Sequence, residues 1–211
     1  MSWRSLLLAG ALMAGCAAPA VRPPASDLER AWRAHEAGLA GLTEWDMRGR
    51  LALRSAHDGG QAGLRWVRRA DDFQIDLSGP LGRGLLRLTR DNGGVRLVDG
   101  ERHEYRAESA EALLFETTGW HIPLDDMHYW IRGLPVPSVP HEQDLDADGR
   151  LSVLRQSGWE IRYLAYARYG RYALPARITL TSTPSDAYAV AGPVEARVVI
   201  ERWDLPNADR P

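Results

Sequence analysis

Trp45-Asp46-Met47-Arg48-Gly49-Arg50-Leu51-Ala52-Leu53-Arg54 places Met47, Gly49, Leu51 and Leu53 on one side and Arg48, Arg50, Ala52 and Arg54 on the other. A period of two with one apolar face is the pattern of a strand that buries one side. Similar short runs follow at 61–69, 72–79, 84–90, 94–99 and 102–106. The breaks between them carry turn chemistry: His57-Asp58-Gly59-Gly60, Ala70-Asp71-Asp72, Gly79-Pro80-Leu81-Gly82, Asn92-Gly93-Gly94 and Asp99-Gly100. Runs resume at 142–146, 151–156, 158–165, 174–182 and 193–203, giving about eleven strands of an antiparallel meander.

Three short helices interrupt this series. Ser26-Asp27-Leu28-Glu29 reads as a capping box with Ser26 as N-cap, and Leu28, Ala31, Trp32, His35 and Leu39 share one side of the helix up to Gly41. Ser109 caps a second helix carrying Ala112, Leu113 and Phe115, with Gly119 as its stop. Leu124, Met127, Trp130 and Ile131 mark a third, ended by Gly133 and Pro135. Three helices are too few to cover a flat sheet of this length. The economical architecture is mainly β (α+β): a barrel or half-barrel with helices over its opening, which leaves room for a cavity between sheet and lid.

Cys16 is the chain's single cysteine and follows Leu12-Met13-Ala14-Gly15. Arg4 and the apolar run from Leu6 to Ala14 have the length of a secretory signal, too short to span a bilayer. Small residues before Cys16 suit cleavage next to a cysteine that has received a diacylglyceryl group, although Met13 stands where such signals usually have Leu. The expected division is a signal peptide at 1–15, an acylated Cys16 with a proline-rich tether to 25, one body at 26–205 and a tail at 206–211. Such a body folds without disulfides. The formal charge is −2, and all 26 basic residues are arginines scattered among acids, so no nucleic-acid footprint is present. Eight Trp against two Phe is unusual, since each buried indole N–H calls for a partner.

Motifs for chemistry are sparse. Asp144-Leu145-Asp146-Ala147-Asp148-Gly149 imitates the start of a calcium loop, but the twelfth position is Arg155 and alternation resumes at Leu151, so it reads as a hairpin turn. The six histidines show no metal-ligand spacing. His128 lies near Asp125 and Asp126, where a solvated helix surface is expected, and no nucleophile motif, phosphate loop or dinucleotide fingerprint accompanies it. Leu81 is a large apolar residue at the tip of a Pro-Gly turn; it either folds back onto the body or projects, and both readings stand on the residues alone.

The ordered set of Cys16, Trp45-x-x-Arg48-Gly49-Arg50, Trp66, Gly79-Pro80-Leu81-Gly82, Tyr105-x-Ala107, Leu113-Leu114 with Gly119 and Pro123, Tyr129-Trp130-Ile131-x-Gly133-Leu134-Pro135, Asp148-Gly149-Arg150-Leu151, Gln156-x-Gly158-Trp159 and Arg202-Trp203 resembles the LolB family of outer-membrane lipoprotein receptors. The likeness runs through nearly the whole chain after Cys16. It implies an open antiparallel half-barrel with a helical lid over a hydrophobic cavity. It also implies a monomer, lipid-anchored in the outer membrane of a Gram-negative bacterium and facing the periplasm. Such a protein takes acylated lipoproteins from a LolA-like periplasmic carrier and releases them into the inner leaflet, with no nucleotide or cofactor, no metal and no catalytic residue. Pro80, Leu81 and Gly82 correspond to the membrane-insertion loop, with Leu81 projecting into outer-membrane lipid. Trp66, Leu113, Met127, Trp130, Ile131 and Trp159 are assigned to the acyl-chain cavity or its lid. The competing readings are a lipocalin-like binder of small apolar ligands, a structural envelope lipoprotein, and a hydrolase built on His128.

Overall fold

A computed structural model describes residues 24–55, 59–79, 84–118, 121–182 and 193–206. Cys16, Pro80, Leu81, Gly82, Gly119 and the tail beyond Pro206 lie outside them. The strands are β1 (Glu44–Arg54), β2 (Gly59–Arg69), β3 (Asp72–Ser78), β4 (Gly84–Asp91), β5 (Gly94–Asp99), β6 (Glu104–Ala107), β7 (His141–Leu145), β8 (Leu151–Gln156), β9 (Trp159–Tyr169), β10 (Tyr172–Ser182) and β11 (Glu195–Asp204). The helices are α1 (Ala25–Ala40), α2 (Ala110–Thr118) and α3 (Leu124–Trp130).

The eleven strands among the described residues form one antiparallel sheet in the order β6-β5-β4-β3-β2-β1-β11-β10-β9-β8-β7. Every neighbour is a hairpin partner except β1 and β11, which join the two ends of the meander at the centre of the sheet. β6 and β7 are the two outer strands, so the sheet curls without closing. The chain leaves the sheet at β6 and re-enters at β7 on the opposite edge. The connection must therefore cross the concave face, and it does so as α2 and α3. The lid is a consequence of strand order.

The alternation at 45–54 keeps its phase: Trp45, Met47 and Gly49 are buried while Glu44, Arg48 and Arg50 are exposed. A bulge at Arg48/Gly49 shifts the register against β11 and bends the central strand. Gly49 is obligatory there because a Cβ would stand 2.1 Å from the Val199 carbonyl oxygen.

The start of α1 differs from the capping box. Pro24 is the N-cap and no side chain caps the helix; the Asp27 and Leu28 N–H groups donate to the Pro24 carbonyl at 3.0 and 3.2 Å. Proline's fixed φ sets the helix going two residues before Ser26 could cap it. Leu28, Trp32 and Leu39 are the buried side, worth about 1.5–3 kcal/mol each as an upper bound. By contrast Ser109 does cap α2, its Oγ accepting from the Ala112 N–H at 3.3 Å.

The acidic loop is the turn between β7 and β8. Asp146 accepts from the N–H groups of Asp148 and Arg150 and from Arg150 Nε, each at 2.9 Å, so its carboxylate is taken by its own turn. Gly149 has φ +72° and lies so close to α1 that a Cβ would meet Ala31 Cβ at 2.5 Å. The turn is thus a packing device that seats the hairpin against α1.

Candidate functional site

The concave face of the sheet and the underside of the lid enclose a cavity of about 290 Å³. Its sheet wall is made by the inward positions of consecutive strands: Leu51 and Leu53 of β1, Ala62, Leu64 and Trp66 of β2, Ile75 and Leu77 of β3, Leu86 and Leu88 of β4, Ala196 and Val198 of β11. Leu114 of α2, Ile122, then Leu124 and Met127 of α3 and the following Ile131 form its roof, and Trp159 of β9 closes one side. Among the described residues the lining side chains carry no charge, and Gln61 is the one with a polar side-chain amide. The volume is at the lower end of small-molecule sites, about 300–1,000 Å³.

Of the residues singled out in the sequence, Trp66, Met127, Ile131 and Trp159 meet in this lining. Leu113 and Trp130 belong to the lid helices but pack away from the lining as fully buried core; on α2 the neighbouring Leu114 takes the inward position. Trp130 anchors the lid instead. Its Nε1 donates to Gln156 Oε1 at 3.0 Å, and its carbonyl accepts from the Tyr163 hydroxyl at 2.9 Å. Gln156, buried at the end of β8, also accepts from the Val136 N–H at 2.8 Å and donates to the Val136 and Val139 carbonyls at 3.0 Å each. Sequence reasoning missed this role, because one glutamine in a strand carries no sign of four converging partners.

Beneath the cavity three indoles from β2, β1 and β11 pack edge to face: Trp45 lies 5.3 Å from both Trp66 and Trp203, centroid to centroid. Such T-shaped contacts are worth about 0.5–1.5 kcal/mol beyond burial. They stiffen the floor where β1 meets β11. The Nε1 atoms of Trp66 and Trp159 have no hydrogen-bond acceptor among the described residues.

His128 is not on a solvated surface as its acidic neighbours suggested. It is buried, because α3 turns that face toward Arg68 and Arg132, and burial with these two charges pushes its pKa down to about 3. It is a neutral imidazole at physiological pH, and its Nδ1 has no partner among the described residues. No group of metal-ligating side chains occurs among the described residues, and no described helix is long and apolar enough to cross a membrane.

Among the described residues, a curled, unclosed antiparallel sheet carries a helical lid over an uncharged cavity, which defines a lidded β half-barrel. A family model described as outer membrane lipoprotein LolB matches residues 43–203. The chain is 41% identical over 182 residues to the outer-membrane lipoprotein LolB of Pseudomonas putida, covering 85% of this chain and 89% of that protein. It is 42% identical over 159 residues to that of Pseudomonas aeruginosa, covering 75% and 78%. The chain belongs to the LolB family, and its place is the outer membrane of a Gram-negative cell, as the lipoprotein receptor of the Lol pathway. Two solved structures share the fold at low identity. A DUF1329 family protein from Desulfovibrio piger has a TM-score of 0.53 at 7% identity, covering 87% of this chain and 94% of that one. A domain from Vibrio parahaemolyticus, named for outer-membrane lipoprotein sorting, has a TM-score of 0.51 at 8% identity, covering 86% and 92%.

Proposed function

We propose that the cavity under α2 and α3 holds the acyl chains of lipoprotein cargo received from a LolA-like periplasmic carrier, and that the protein delivers the cargo into the inner leaflet of the outer membrane without nucleotide. The observation that carries this reading is a lining made of apolar side chains from both sheet and lid. An acyl chain gains about 0.8 kcal/mol for each CH₂ removed from water, so cargo adrift in solution is strongly disfavoured and each handover must be made by contact. Release then requires carrier, receptor and bilayer to lie in order of increasing effective affinity. At about 290 Å³ the cavity suits one chain. More chains require the lid to move from the sheet, which α2 and α3 are suited to do because both lie in a single edge-to-edge connection.

In the same reading residues 1–15 are the removed signal, Cys16 is the acylated anchor with its tether to 25, and 26–205 form the working body. The anchor holds the receptor at the acceptor membrane, where effective concentration is high. Pro80, Leu81 and Gly82 form the insertion loop. Burying one leucine in lipid yields about 1.5–3 kcal/mol, enough for reversible contact and too little for anchoring. The test is transfer from a loaded carrier to this protein and onward to liposomes, with acylated and non-acylated cargo compared. Leu81→Glu is expected to accept cargo yet fail to deliver it. Normal delivery by that variant would remove the insertion role, and absence of uptake by the unaltered protein would return the small-ligand reading.

A further inference from the structure

Strand register gives the apolar cavity a mouth and a floor. Along β2 the lining takes the inward positions Gly60, Ala62, Leu64 and Trp66, and burial deepens in that order, from exposed Gly60 to Trp66 at 3% exposure. The neighbouring strands repeat the gradient: Leu77 and Leu86 are half-buried, while Ile75 and Leu88, one inward position further, are buried. The cavity therefore opens at the Gly60 end of the sheet. It ends at Trp66, Ile75 and Leu88, which stand side by side in register on β2, β3 and β4.

An indole wall closes it there. Trp66 packs edge to face on Trp45, and Trp45 packs likewise on Trp203, with 5.3 Å between centroids in each pair. The wall has two different sides. Trp66 lines the apolar cavity, whereas Trp45 and Trp203 line a separate polar cavity of about 600 Å³ together with Asp46, Arg68 and Asp204. The inward row below Trp66 is Arg68, Phe73 and Arg90, and none of these three lines the apolar cavity. A hydrocarbon pushed past Trp66 would strip water from charged groups, so the boundary is chemical as well as steric. An indole backed by a second indole also has little freedom to turn aside.

The run from Gly60 to Trp66 along β2 measures roughly 20 Å at the strand rise of about 3.3 Å per residue. An extended hydrocarbon, with bonds near 1.5 Å at nearly tetrahedral angles, advances about 1.25 Å per carbon, so roughly sixteen carbons cover that length. We propose that Trp66 sets the length of acyl chain that the cavity accepts: chains up to about sixteen carbons are sheltered whole, and longer ones leave their excess at the mouth. This rests on the cavity being an acyl-chain site, and adds to it a length limit and the residue that imposes it.

The experiment uses the chain with Cys16→Ala behind a cleavable secretory leader, so that it bears no acyl group of its own. A neutral fluorescent naphthylamine probe seated in the cavity is displaced by lysophosphatidylcholines of about ten to about twenty carbons, each below its micellar concentration. Affinity is expected to rise by up to about fourfold for each added CH₂ and to level off near sixteen carbons, where the chain end meets Trp66. Trp66→Leu shortens the side chain at the floor and should move the plateau to chains longer by about two or three carbons. Leu64→Phe fills the row nearer the mouth and should move it the other way by a similar amount. Thermal melts accompany both, and Leu64→Phe decides the matter if Trp66→Leu does not fold. A plateau unmoved in every folded variant, or affinity still rising at about twenty carbons, overturns the length limit and leaves the acyl cavity standing. Displacement by no chain of any length overturns the acyl-chain reading and the limit with it.

Discussion

Replacing Gln156 with leucine is expected to loosen the lid from the sheet. The side chain uses its full capacity: two bonds accepted at Oε1, from Trp130 Nε1 and the Val136 N–H, and two donated from Nε2, to the Val136 and Val139 carbonyls. Leucine has nearly the same shape and breaks all four bonds, leaving the buried Trp130 Nε1 and the part-buried Val136 N–H and carbonyl without these partners, while the Val139 carbonyl keeps His141 Nδ1 at 3.2 Å. At about 1 kcal/mol net for each bond the loss is about 4 kcal/mol, and the added apolar burial returns about 1 kcal/mol. A net destabilisation near 3 kcal/mol lowers Tm by roughly 10 °C in a body of this size. The measurement is a calorimetric melt paired with denaturant titration, with near-ultraviolet circular dichroism reporting Trp130. A loss below about 1 kcal/mol would refute the reasoning, because it would mean that water or a shifted segment meets these groups at little cost.

Gly49→Ala places a Cβ against the Val199 carbonyl at the central bulge and should cost more than about 2 kcal/mol in denaturant titration, whereas Gly38→Ala, which meets nothing within 4 Å, should be neutral or stabilising. His128 has a folded pKa of about 3 against an ordinary 6.5, so the unfolded chain takes up a proton that the folded state refuses. Its contribution is complete above pH 6.5 and declines as pH falls toward 3. The stability difference between the unaltered protein and His128→Phe should therefore shift across that window by no more than about 1.4 kcal/mol per pH unit. Ala62→Trp puts an indole into the cavity from β2 and should abolish uptake of acylated cargo in the transfer assay while leaving the melt within a few degrees of the unaltered protein.

The sheet was legible because strand periodicity and turn chemistry are local. The run at 45–54, the Asn92-Gly93-Gly94 break and the Asp148-Gly149 turn each state their structure without knowing their neighbours. Legibility failed where a neighbour decides. Ser26 looked like a cap because its own side chain is suited to one, but Pro24 starts the helix first. His128 looked solvated beside two aspartates until the fold placed Arg68 of β2, four strands and a helix earlier in the chain, against it. The lining of the cavity lay between these extremes. Its strand positions follow from alternation, but whether Leu113 or Leu114 faces inward depends on the rotation of a two-turn helix, which nine residues do not fix.

An unclosed sheet has two seams, and a protein that spends its life meeting other proteins at a crowded membrane cannot leave them inviting. β6 is four residues long, and its Glu104 and Arg106 are engaged with each other in an ion pair. β7 is five residues long and exposes Glu142 and Asp144, with Arg155 of the next strand between them as their shared cation. Short edges that carry charge resist strand addition, and two copies meeting antiparallel along β7 would oppose acid to acid. Charge on the two short edge strands therefore guards the hydrogen-bonding edges that would admit another chain, so the sheet can stay unclosed without being open to aggregation.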